Sequence, residues 1–70
     1  MDRQEVISSN LRSVGYDESS RTLEVEFQSG SVYQYSNVPA KEYYKLMAAE
    51  SHGKYFHANI RNDYNFRRVK

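Results

Sequence analysis

Leu23, Val25 and Phe27 alternate strictly with Thr22, Glu24 and Glu26. Period two with one apolar and one charged side describes a strand wet on one face only. Such a strand needs antiparallel neighbours and a cover on its apolar side. Ser29-Gly30 interrupts it, and Val32-Tyr33-Gln34-Tyr35 resumes the alternation in a following strand. Upstream, residues 11–16 carry Val14 and Tyr16 on one side, and Asp17-Glu18-Ser19-Ser20 has the composition of a turn. These features predict a three-stranded antiparallel meander.

The loop around Gly30 decides where the two central tyrosines point, because a one-residue slip moves a whole strand's side chains to the other face. A two-residue loop pairs Gln28 with Ser31 and sets Tyr33 and Tyr35 beside Glu26 and Glu24. A three-residue loop, Gln28-Ser29-Gly30, puts glycine in the left-handed position of a bulge. Phe27 then opposes Ser31, Val25 opposes Tyr33 and Leu23 opposes Tyr35. The three-residue loop is preferred, since it gathers five large apolar side chains on one face and misplaces only Val32.

The second half reads as helices. Val38-Pro39 marks the start of the first, because proline suits the first helical position. Tyr43, Leu46 and Met47 then fall at i, i+3 and i+4, with Tyr44 and Ala48 alongside, a stripe able to cover the sheet. Ser51 ends that helix and caps a second through its hydroxyl. Tyr55, Phe56, Asn59 and Ile60 follow at helical spacing, and Asn62-Asp63 ends the run. Tyr64 to Val69 alternates and adds either a short C-terminal edge strand or a docked tail. The predicted fold is α+β, three strands packed on one face by two helices. Residues 1–7 read as loose, 8–66 as the domain and 67–70 as a basic tail.

Seventy residues make one domain with a small core. Cysteine is absent, so disulfides and thiolate zinc sites are excluded. His52 and His57 are five apart, which turns them to different helix faces and argues against a metal pair. Stability must come from packing, and seven Tyr and three Phe are the material for it. No apolar stretch approaches a membrane span, and the N-terminus lacks the basic-then-apolar pattern of a secretory signal. A cytoplasmic protein without metal, membrane or cofactor is expected.

Charge is unevenly placed. Residues 1–53 hold five Lys/Arg against eight acids, whereas residues 54–70 hold five Lys/Arg against Asp63 alone. A basic end on an acidic body suggests an anionic partner, although a solvated tail has the same composition.

Several pieces in fixed order carry a resemblance. Ser8-Ser9 precedes the first strand. Gly15-Tyr16-Asp17 leads to Leu23-x-Val25-x-Phe27, and Gly30 is followed by Tyr33-Gln34-Tyr35 and Val38-Pro39. Ala49-x-Ser51-x-Gly53 leads to Tyr55-Phe56, and Ile60-Arg61 precedes Tyr64. Across residues 8–66 this set resembles the KTSC domain. That family is named for its place at the C-terminus of some lysyl-tRNA synthetases, and it also occurs as a stand-alone bacterial protein. The resemblance implies no enzymatic activity, and its synthetase context suggests RNA, either tRNA or single-stranded.

Three places are candidate sites. Tyr33 and Tyr35 on one strand face stand about 6.6–6.8 Å apart, a spacing that suits base stacking, but the preferred register assigns both to the core, against Val25, Leu23 and the first helix. Ser51, Gly53 and Lys54 form a helix start able to hold an anion, or an ordinary helix corner where glycine permits close packing. Lys54, His57, Arg61, Tyr64, Arg67 and Arg68 interleave basic and aromatic side chains as phosphate and base contacts require. Arg61 could instead pair with Asp63 or Glu50, and Arg67 and Arg68 point opposite ways if they lie on a strand. No nucleophile elbow, phosphate loop or dinucleotide fingerprint is present. So short a chain leaves little room for a pocket of about 300 Å³ or more. The expected function is a non-enzymatic binding module, with RNA or a partner protein as its ligand.

Overall fold

The computed structural model describes residues 1–70. The elements run β1 (Gln4–Glu5), β2 (Leu11–Asp17), β3 (Thr22–Phe27), β4 (Val32–Tyr35), α1 (Ala40–Ala48), α2 (His52–Asn59) and β5 (Phe66–Arg68). All five strands form one antiparallel sheet in the order β1-β2-β3-β4-β5, and the helices cover one face of it.

The β3–β4 register is the one preferred from sequence. Leu23 opposes Tyr35 and Val25 opposes Tyr33, and the Phe27 amide donates to the Ser31 carbonyl at 2.9 Å. Gly30 has φ +97°, the left-handed backbone that the three-residue loop demands. Val32, the residue this register sends away from the helices, is nonetheless buried.

Of the two alternatives for residues 64–69, the chain takes the edge strand: β5 pairs with β4 and includes Arg67 and Arg68, which the domain reading placed in the basic tail. β1 lies within residues 1–7, which had read as loose. Both are short and solvent-exposed throughout, and β1, Gln4–Glu5, has no apolar residue to mark it as a strand. The sheet therefore has five strands: the predicted three-stranded meander, the C-terminal edge strand that was one of two readings of residues 64–69, and β1, which was not predicted.

β2 also holds a bulge. Its pairing with β3 shifts between Leu11 and Ser13, so Arg12 is the extra residue. The shift lets Leu11 and Val14, three apart, both reach the core, while Ser13 faces the opposite side. The turn after β2 is held by the Asp17 carboxylate, which accepts from the Ser19 amide and from both the Ser19 and Ser20 hydroxyls. Those hydrogen bonds keep its pKa below the ordinary value.

The core is continuous across sheet and helices: Leu11, Val14, Leu23, Val25, Tyr35, Val38, Leu46, Phe56 and Ile60. α1 follows Pro39 at its N-cap and buries Leu46. Tyr43 stacks on Tyr16 at 5.0 Å and 10°, and the Tyr16 hydroxyl donates to the Val38 carbonyl, which ties the start of α1 to β2. Ser51 caps α2 by accepting from the Lys54 amide at 3.2 Å, as its position predicted.

The face away from the helices is polar and closely paired. Arg3 reaches over it to bond Ser13 and Glu24, with Glu26 3.7 Å away. Gln34 donates to Glu24 at 2.8 Å. Glu24 is almost fully buried, and burial alone would raise its pKa, but the hydrogen bonds from Gln34 and Arg3 outweigh that and hold it low.

Candidate functional site

The β3–β4 hairpin carries Phe27 and Tyr33 near its turn, where cover from α2 is incomplete. α2 has eight residues, or about 12 Å at 1.5 Å per residue. β5 lays Phe66 beside Tyr33 and Tyr35 at ring distances of 5.7 and 5.6 Å. Between this aromatic floor and the C-terminal half of α2 lies an open cleft of about 500 Å³. The far wall is Phe56, His57 and Arg61, and Asn10, Ser31 and Asn62 stand at the rim. A concavity of this size was not expected from so short a chain. β5 contributes Phe66 to its lining.

The two central tyrosines divide. Tyr35 is 3 % exposed and belongs to the core, with its ring edge-on to Phe56 at 5.4 Å. Tyr33 is half-buried and forms part of the cleft floor. Burial, with Tyr33 as a second cause, pushes the Tyr35 phenol up to about 12, and the nearby Arg61 offsets only part of that.

His57 organises the wall. Its Nε2 lies 2.7 Å from the side-chain amide of Asn10 and its Nδ1 lies 3.3 Å from Nη1 of Arg61. The atom of Asn10 that approaches Nε2 is its amide nitrogen, Nδ2. Arg61 pairs with neither Asp63 nor Glu50: the chain's carboxylate ion pairs are both made by Arg3.

The predicted basic-aromatic set is brought together only in part. His57 and Arg61 line the cleft, and Arg68 reaches it by donating to the Ser31 hydroxyl at 3.2 Å. Arg67 lies on the opposite face, donating to Gln34 at 3.2 Å. Tyr64 is half-buried against the core, where desolvation first and then Glu42 and Asp63 raise its pKa. Lys54 stands at the start of α2, beside a second depression that shares Asn10 and His57 with the cleft. There Gly53 is buried, and a Cβ on it would sit 3.5 Å from Asn10 and from the Ser8 hydroxyl. The Ser51-Gly53-Lys54 corner thus packs closely on residues 8–10.

Phe27, Phe66 and Asn10 line the cleft without having been singled out as site residues. Phe66 shares the alternating phase of Tyr64 and Arg68, which was the available signal. Asn10 offered none, since its position depends on contact with His57, 47 residues away. No Asp or Glu lines the cleft. The glutamates that would flank the tyrosines in the other register face away, engaged by Arg3 and Gln34.

The arrangement has known relatives. A protein of Stutzerimonas stutzeri is 46% identical over 56 residues, covering 80% of this chain and 79% of its own. The lysine–tRNA ligase of Trichormus variabilis is 36% identical over 59 residues, which is 84% of this chain but 10% of the ligase. The crystal structure of a KTSC domain protein from Yersinia pestis superposes with a TM-score of 0.96 at 36% identity, over 99% of this chain and 97% of that one. A family model for the KTSC domain matches residues 7–64. The chain belongs to the KTSC domain family.

Proposed function

We propose that this domain is a non-enzymatic, cytoplasmic RNA-binding module whose contact surface is the cleft face of β4, β5 and α2. The observation that carries this reading is a cleft with an aromatic floor and no Asp or Glu, lined by Arg61 and reached by Arg68 through Ser31. Neither arginine pairs with an Asp or Glu side chain, although Arg68 Nε also donates to the Lys70 main-chain oxygen at 3.2 Å. Guanidinium groups that lack an internal carboxylate are available for phosphates, and exposed rings offer faces for bases. The match to a tenth of the length of lysine–tRNA ligases supports RNA as the partner class. No helix is long and apolar enough to cross a membrane.

Fluorescence anisotropy with labelled tRNA and short single-stranded RNA tests it. Two or three phosphate contacts at about −0.7 in salt slope each predict a roughly tenfold loss of affinity from 50 to 200 mM salt. Arg61→Glu with Arg68→Glu abolishes binding, while Arg67→Glu, on the other face, leaves it unchanged. Equal losses from Arg67→Glu would contradict the surface, and no binding by the native domain would contradict the reading.

A protein-interaction module is the second reading, and it has its own observation. Tyr44 is 62% exposed and lies 5.4 Å from Tyr43, which in turn stacks on Tyr16. Recovery of a partner after nuclease treatment, lost on Tyr44→Ala, would favour it.

A further inference from the structure

We infer that the cleft is a pocket for one unstacked nucleobase, and that the Tyr35 hydroxyl and Arg61 read a carbonyl on that base's edge. The inference rests on the RNA-binding reading and goes further by naming what enters the cleft.

Tyr35 supplies the observation independent of charge. Its side chain is more than nine-tenths buried, yet its hydroxyl makes no hydrogen bond within the protein, unlike those of Tyr16 and Tyr55. No fully enclosed side-chain polar atom lacks a partner. The hydroxyl therefore meets solvent, and the cleft is where Tyr35 lines open space. A phenol at the bottom of an aromatic cleft with no internal acceptor is free to donate to whatever enters.

The walls suit a flat, electron-rich ring. Phe27 stands edge-on to Tyr33 at 84°, and Phe66 is 57% exposed, which leaves ring surface open to stacking. The cleft volume of about 500 Å³ lies within the range of small-molecule sites, roughly 300–1,000 Å³. A duplex keeps its bases stacked and paired, so only single-stranded ends, loops or bulges can deliver a base to such a depth. Arg68 at the rim is placed for the phosphate of the same nucleotide.

Donor chemistry then sets a preference. The phenol hydroxyl is an available donor, and Arg61 can only donate. Guanine, cytosine and uracil each carry an exocyclic carbonyl oxygen whose two lone pairs can accept from both donors at once, whereas adenine offers only ring nitrogens with one lone pair each, beside a donor amino group. The pocket favours the first three over adenine.

The test uses hexamers of uridine and of adenosine with the native domain, Tyr35→Phe, and the Arg61→Glu, Arg68→Glu double variant. Phenylalanine keeps the buried ring, and a thermal melt confirms that the fold is retained. The native domain is expected to prefer the uridine hexamer about fivefold or more. Tyr35→Phe lowers uridine affinity by that factor and leaves adenosine affinity unchanged. If RNA binds and the double variant abolishes it, yet the two hexamers bind equally or Tyr35→Phe weakens both alike, the base pocket is overturned while the surface stands. If neither hexamer nor tRNA binds, both fail together.

Discussion

Arg3 is a residue whose role depends on a partner 21 positions away. Its guanidinium satisfies Glu24, a carboxylate that is nearly enclosed by the sheet's polar face. Because the folded pKa of Glu24 is depressed, its contribution to stability is present at neutral pH and is lost as pH falls through that lowered value. Arg3→Ala leaves the desolvated carboxylate with Gln34 alone and should cost about 1–3 kcal/mol at pH 7, the scale of a hydrogen bond to a charged group. The variant should melt lower than native at pH 7 and lose less on acidification to pH 3. Parallel melting curves across that range would contradict the assignment. Nothing in the sequence pointed to this pair, since Arg3 lies in a segment with no apolar pattern. The hairpin register was readable at the residue scale, because Gly30 and the alternation at residues 22–27 agree on one loop.

Elements were legible in proportion to their apolar content. β3 and β4 were read from their alternation, and α2 from its Ser51 cap. β2 was read only in outline, because the bulge at Arg12 changes the phase and a periodicity argument places Leu11 on the wrong side. β1 was missed, because it owes its place to a close backbone approach. A Cβ on Gly15 would lie 2.7 Å from the Asp2 carbonyl oxygen and 3.0 Å from Cγ of Arg3. Gly15→Ala should therefore push β1 off the sheet at a cost of about 1–3 kcal/mol, as for other overpacked sites. Hydrogen exchange reports it directly: the Val6 amide, which donates to the Arg12 carbonyl at 3.1 Å, should lose protection while the β3–β4 ladder keeps its own. Retained protection at Val6 would show that the segment does not depend on the missing side chain.

At the scale of the molecule, charge is sorted by sheet face as much as by chain end. The sequence placed positive charge in residues 54–70, but the fold splits it, sending Arg67 to the face of Glu24 and Glu26 and leaving His57, Arg61 and Arg68 around the cleft. The candidate site was thus half legible: its cations are in the predicted stretch, whereas its floor comes from Phe27, Tyr33 and Phe66 on three strands. The core that supports it is small. Phe56 joins the buried cluster to the cleft wall and meets Phe27, Tyr35 and His57. Phe56→Ala should cost about 3–5 kcal/mol. That equals the net stability of about 3–5 kcal/mol typical of a domain this size. The variant should be largely unfolded at 25 °C by circular dichroism, and a cooperative native-like melt would contradict the central place given to this ring. Which face carries the ligand is best decided by an amide chemical-shift titration of the native domain with short single-stranded RNA at low and high salt. The account predicts perturbations at Asn10, Phe27, Ser31 to Tyr35, His57 to Asn62 and Phe66 to Arg68 that fade at high salt. Perturbations centred on Tyr16, Tyr43 and Tyr44, or on the Arg3–Glu24 face, would contradict it.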